Sequence, residues 1–137
     1  MQPEEHRQSL FVELIGGKLE EWRQGYVRLS LLVEARHTNP NGVMHGGVIT
    51  TLMDECLGGV IASVRGMEAM WAEPHATVEL SVSFMSGARP GDDIIVEGRV
   101  LKVGRTVAFG EVEARRRGED DLIAKGHGTF TILKRGA

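Results

Sequence analysis

Asp54 stands eight residues after Gly46, the first of two adjacent glycines, Gly46 and Gly47. Ahead of the pair runs His37-Thr38-Asn39-Pro40-Asn41-Gly42-Val43-Met44-His45, and behind it a largely apolar stretch to about Val64. Backbone N–H groups in the first turn of a helix have no intrahelical partner, and the helix dipole adds partial positive charge there. Gly46 and Gly47 leave those groups without a covering side chain, which suits an anion or a developing oxyanion. The same glycines would also serve if they only let the chain turn tightly into the helix. Both readings stay open on the residues alone.

At ~100° per residue, Asp54 shares one flank of this helix with Gly47, Thr50, Gly58 and Ile61. Glu55 lies on the other flank, near Thr51, Gly59 and Ala62. Small neighbours on both flanks suit close approach by a ligand or another helix, and spacing does not choose between the acids. His45 caps the helix start, where it either touches a substrate or only braces the loop. His37, His45, His75 and His127 lack zinc-type spacing and have no cysteine partner, so no metal site is expected.

The elements that must position these residues follow from periodicity. Leu10, Phe11, Leu14 and Ile15 mark a short amphipathic helix stopped by Gly16-Gly17, within an N-terminal segment of residues 1–17. Val27, Leu29, Leu31, Val33 and Ala35 alternate with polar residues, broken only by Leu32, which predicts a strand ending at the Pro40-Asn41-Gly42 turn. Val48, Ile49, Leu52, Met53, Cys56, Leu57, Val60, Ile61 and Val64 form one apolar stripe on a central helix over 45–65. Alternation returns at 76–84, and strands follow near 93–103, 105–116 and 121–133, the last three separated by turns short enough to force antiparallel pairing. The order predicts an α+β fold, a long central helix wrapped by a five- to six-stranded antiparallel sheet. A single covering helix leaves a sheet edge and part of a face exposed, which a homodimer would cover.

Composition narrows the function. The chain has 137 residues, a size for one domain, and a net charge of −3, with no basic face for nucleic acid. Arg115-Arg116-Arg117, offset by Glu119, Asp120 and Asp121, reads as a solvated hairpin end. Cys56 is the sole cysteine, which fits a reducing compartment. The polar N-terminus lacks the pattern of a signal peptide. No apolar run approaches the ~20 residues of a membrane span. A cytoplasmic protein without a membrane partner is expected.

Asn39, Gly42, His45-Gly46-Gly47, Leu52 and Asp54 spell Asn-x-x-Gly-x-x-His-Gly-Gly-x-x-x-x-Leu-x-Asp. This resembles the hotdog-fold acyl-CoA thioesterases of the phenylacetate-degradation (PaaI-like) type. "ATVELSVSFMSGARPGD" at 76–92 and "GRTVAFGEVEARRRGEDDLIAKGHGTF" at 104–130 extend the likeness over about 30–133. The resemblance implies a single hotdog domain over 1–137, with sheets paired edge to edge in a homodimer or a dimer of such dimers. It implies active sites shared between chains. Asp54 would be general base or nucleophile, the Gly46 N–H the oxyanion donor, Asn39 a holder of the thioester, and Thr77 the group that orients water. Thiols have a pKa of about 8.5 and leave as thiolates unaided, so a water activator and an oxyanion cradle suffice. No cofactor is expected beyond coenzyme A as part of an acyl-CoA substrate. His45, Gly47, Arg89 and Arg105 are the substrate-binding candidates, with Lys102 and Lys125 also near segments able to meet phosphates. Met67, Met70 and Trp71 either line an acyl pocket or pack under a loop. The rival functions are a hydratase or dehydratase on the same fold, and an acyl-CoA sensor without turnover.

Overall fold

Ser9 caps the first helix, α1 (Leu10–Leu14), its hydroxyl accepting from the N–H groups of Phe11 and Val12. The computed structural model describes residues 9–134, so the first part of the expected 1–17 segment, with His6, lies outside the described residues. Strand β1 (Lys18–Arg23) comes next and pairs antiparallel with β2 (Tyr26–Leu32). Strand β1 was not legible in the sequence. It carries Lys18, Glu20, Glu21 and Arg23 around Leu19 and Trp22, and a bulge between Leu19 and Glu21 breaks its alternation. Strand β2 also stops earlier than its pattern suggests. A 3₁₀ turn at Ala35–His37 follows it, with the Glu34 N–H donating to His37 Nδ1 (2.9 Å) and His37 Nε2 at 2.6 Å from the Ile15 carbonyl.

The central helix α2 (Gly46–Arg65) has the expected position and length. Leu52, Met53, Cys56, Leu57, Val60 and Ile61 on its stripe are fully buried. Contrary to the expectation from apolar runs, this helix is long and apolar enough by length and composition to cross a membrane. Here that stripe is the protein's core, packed on the sheet. Residues between it and the next strand, for which the sequence predicts no element, make a short helix, α3 (Met67–Ala72), held by Arg65, whose Nη2 donates to the carbonyls of Ala69 and Glu73.

Strands β3 (His75–Phe84), β4 (Asp93–Val103), β5 (Val107–Arg116) and β6 (Leu122–Ile132) complete one antiparallel sheet of order β1-β2-β4-β5-β6-β3. The three strands joined by tight turns form a meander as expected. Strand β3 does not join β4. It lies on the far edge against β6, and residues 85–92 cross back past the loop before α2, where the Met44 N–H donates to the Ala88 carbonyl (2.7 Å). Under the helix the sheet is paved with Gly98, Gly110 and Gly128. A Cβ on each would stand 2.8–2.9 Å from Cys56 or Leu57 side-chain atoms, so these positions set how deep α2 can sink.

The arginine triplet stands at the β5–β6 hairpin end as expected, with Arg117 exposed, but its side chains are paired and Arg115 and Arg116 are half-buried. Arg115 pairs with Glu113, two residues back on the same face of β5, while Arg116 reaches Asp92 in the link before β4 and Arg117 reaches Glu20 on β1 and Asp93 on β4. The Arg117 guanidinium holds the Glu20 carboxyl down to about 2, against the opposing effect of burial, with Ser30 and Arg28 adding to the lowering.

Candidate active site

The loop before α2 is braced from within. Asn39 Oδ1 accepts from the N–H groups of Asn41 (2.9 Å) and Val43 (3.3 Å), a turn that Gly42 completes at φ +79°. His45 is the N-cap, and its Nδ1 accepts from the Gly47 N–H at 2.8 Å. Of the two expected anion donors, Gly47 is therefore occupied by the cap. The Gly46 N–H meets no acceptor among the described residues. Gly46 is a glycine for a second reason: a Cβ there would lie 3.2 Å from the Phe84 ring. Thr50 and Thr51 donate to the Gly46 and Gly47 carbonyls and stiffen this turn. Beside it lies an apolar recess of about 350 Å³ lined by Val43, Met44, Ile49, Phe84 and Met85.

Two turns further along, Asp54 Oδ1 accepts from Thr77 Oγ1 at 2.7 Å. Both residues line a cleft of about 250 Å³ with Glu55, Gly58, Gly59, Ala62, Met70, His75 and Phe130. The hydroxyl partner separates the acids that spacing left equivalent. Glu55 is tied back to the Ser9 N–H (3.3 Å) at the start of α1, and burial, with the charge of Asp54, pushes its carboxyl above the usual range.

The other candidates divide. Met70 lines the cleft, whereas Met67 packs on the core and Trp71 is exposed. Arg89, in the link before β4, and Arg105, in the β4–β5 turn, are exposed and do not line the cleft. Lys102 is exposed on β4, and Lys125 pairs with Glu113 on the outer sheet face. Sequence reasoning passed over His75 and Phe130. His75 Nε2 stands 2.9 Å from the Gly58 carbonyl, its Nδ1 3.2 Å from Arg65 Nη1, and its ring is edge-on to Phe130. Strand alternation held the missing signal, since residues 75 and 77 must share a face. Among the described residues, no group of three or more His, Cys, Asp or Glu side chains could hold a metal ion.

A long helix wrapped by an antiparallel sheet, with a carboxylate on the helix flank, defines the hotdog class, and comparison with known proteins gives the family. Residues 41–123 match the thioesterase superfamily. Acyl-coenzyme A thioesterase 13 of Homo sapiens is 35% identical over 106 residues, 77% of this chain and 71% of that one. The solved structure of a conserved protein from Pseudomonas aeruginosa superposes with TM-score 0.83 at 32% identity, covering 91% of this chain and 94% of that one. The PaaI protein of the E. coli phenylacetic acid degradation operon has the same fold, with TM-score 0.81 at 15% identity over 91% of this chain and 85% of its own. The chain belongs to the thioesterase superfamily and is a thioester hydrolase.

Proposed function

We propose that this protein hydrolyses acyl-coenzyme A thioesters to the free acid and coenzyme A, at sites shared by two chains. The observation that carries this reading is the Thr77–Asp54 hydrogen bond in a cleft, set apart from the open Gly46 amide. Eight residues of helix rise about 12 Å. A carbonyl attacked by water at Asp54 cannot reach its own chain's Gly46, because attacking atom and oxyanion donor must both lie about 3 Å from the reacting centre. Each chain thus offers two half-sites, and a second copy brings the complementary halves together. Strand β3, a ten-residue sheet edge, provides the place for that copy to pair.

The steps balance without a cofactor. Asp54 takes a proton from water as its oxygen attacks the thioester carbon, or attacks that carbon itself in the rival route. Charge gathers on the carbonyl oxygen and is met by the Gly46 N–H at the positive end of α2. Because Asn39 Oδ1 is committed to its own loop, its amide nitrogen is the part left to steady the thioester oxygen. The carbon–sulfur bond then breaks and the thiolate departs, taking up the proton; in the rival route water next hydrolyses the acyl–Asp54 anhydride, which releases the acid and restores the carboxylate. Coenzyme A enters only as part of the substrate. A cytoplasmic setting accords with a single cysteine, Cys56, that is wholly buried.

The test is thiol release from a panel of short, medium, long and aryl acyl-CoA substrates by the wild type and Asp54→Asn. Release by the wild type and a loss of about 10³-fold or more in the variant is expected. Binding without release from any substrate would favour a sensor and overturn the proposal.

A further inference from the structure

The cleft contains a titratable ring, His75, whose position the hydrolytic steps do not use. His75 opens strand β3 and is half-buried between α2 and β6. Arg65 is a permanent donor, so the 3.2 Å contact from its Nη1 requires a lone pair on His75 Nδ1. The proton of the neutral ring then sits on Nε2 and is donated to the Gly58 carbonyl. Arg65 is itself fixed by the Glu73 carbonyl at 2.6 Å. Gly58 and Asp54 are one turn apart on α2, and His75 and Thr77 are two apart on β3. The two strand residues therefore grip the two helix residues in parallel, His75 on Gly58 and Thr77 on Asp54.

Resting on the thioesterase reading, we propose that His75 is a positioning residue: in its neutral Nε2–H form it clamps β3 to α2 and so holds the Thr77 hydroxyl on Asp54, and protonation of the ring releases the clamp. A proton on Nδ1 would point at the Arg65 guanidinium, so the pair changes from a hydrogen bond to a repulsion. The charged groups around the ring decide where it goes. On α2 these are Arg65, Asp54 and Glu55. From the end of α3 Glu73 presents only its carbonyl to Arg65, its carboxylate taking Lys134, and β6 presents the uncharged Phe130. An imidazolium is driven from Arg65 toward the two carboxylates, which draws it off Gly58 and displaces the start of β3. Burial, with the charge of Arg65 and against the opposing pull of the Gly58 carbonyl, holds the His75 ring below the ordinary histidine value of about 6.5, so the neutral clamp persists at neutral pH. Activity should therefore carry an acid limb below that value that belongs to His75.

Two variants and a spectrum test this. His75→Gln keeps a donor for the Gly58 carbonyl but cannot titrate; kcat falls about three- to tenfold at pH 8 with KM little changed, and the acid limb of kcat disappears or moves to the range of the carboxylates. Arg65→Gln removes the opposing cation and moves the wild-type limb to higher pH, with no such movement when combined with His75→Gln. Nitrogen-15 NMR of the ring at pH 7.5 reports the Nε2–H tautomer without any need for activity. An acid limb unaltered in a folded, active His75→Gln, or a ring that is charged or protonated on Nδ1 at pH 7.5, would overturn the clamp. A wild type that releases no thiol fails the thioesterase reading instead, and the NMR result then still judges the tautomer.

Discussion

At the scale of residues, the useful distinction is between groups that the local fold already occupies and groups it leaves open. His45 and the Gly47 amide satisfy one another, and Asn39 Oδ1 is spent inside its turn, while the Gly46 amide is open and Asp54 carries one hydroxyl partner. Spacing pointed to the glycine pair but could not say which amide was open, because the cap is a side-chain contact. Nor did it separate Asp54 from Glu55; the family likeness selected Asp54, and Thr77 supplies the physical reason. Thr77→Val keeps the shape and removes the hydroxyl. A hydrogen bond to a charged group contributes about 1.5–3 kcal/mol, and at this exposed position the lower end applies, so kcat should fall roughly tenfold with KM steady. Thr77→Ser should restore it. Steady-state thiol release decides the matter, and a Thr77→Val enzyme as fast as wild type would leave the hydroxyl without a role.

At the scale of elements, the apolar stripe of α2 was legible in full because burial on one helix face imposes its period without help from the rest of the chain. Strand β1 was hidden by a bulge and by charges that serve pairing across the sheet. The six residues of α3 were too few to show a period. The glycines beneath α2 carry no local signature at all, since their need arises from a helix distant in sequence. Gly110 tests that need. A methyl there would stand 2.8 Å from Leu57 Cδ2 and 3.2 Å from the Arg99 carbonyl, and the latter cannot give way. Gly110→Ala should cost about 1–3 kcal/mol, seen as a lower urea midpoint at unchanged slope. A midpoint equal to wild type would mean the helix has more room than the packing indicates.

For the whole molecule, the separation of Asp54 from Gly46 along one helix makes the assembly a matter of chemistry. Proline is tolerated at the first position of a helix, so Gly46→Pro deletes the amide proton while suiting the backbone, apart from a small shift of Phe84. Chains bearing Gly46→Pro and chains bearing Asp54→Asn should each lose about 10²-fold or more alone. Mixed and allowed to exchange, they should recover about a quarter of wild-type activity, because half the dimers are mixed and each mixed dimer keeps one intact site. No recovery despite proven exchange, measured by mass spectrometry of the assemblies, would place each site within a single chain. The unpaired sheet edge that suggests this arrangement was foreseen in the element order. Its identity as β3 was not, because sequence neighbours need not be sheet neighbours.

That placement of β3 has a bearing on how the protein matures. Within one chain, and among the described residues, the strand carrying Thr77 has β6 as its sheet neighbour, and β6 is the last of the described strands in chain order. A growing polypeptide can lay its helix on the earlier strands, yet the strand that carries the hydroxyl lacks its sheet partner, with the His75 contact to hold it to the helix, until Leu122–Ile132 has emerged. Closing a pairing between segments so far apart is slow relative to the local meander. Competence for catalysis should thus arrive as a late event in biogenesis, after most of the core is already dry.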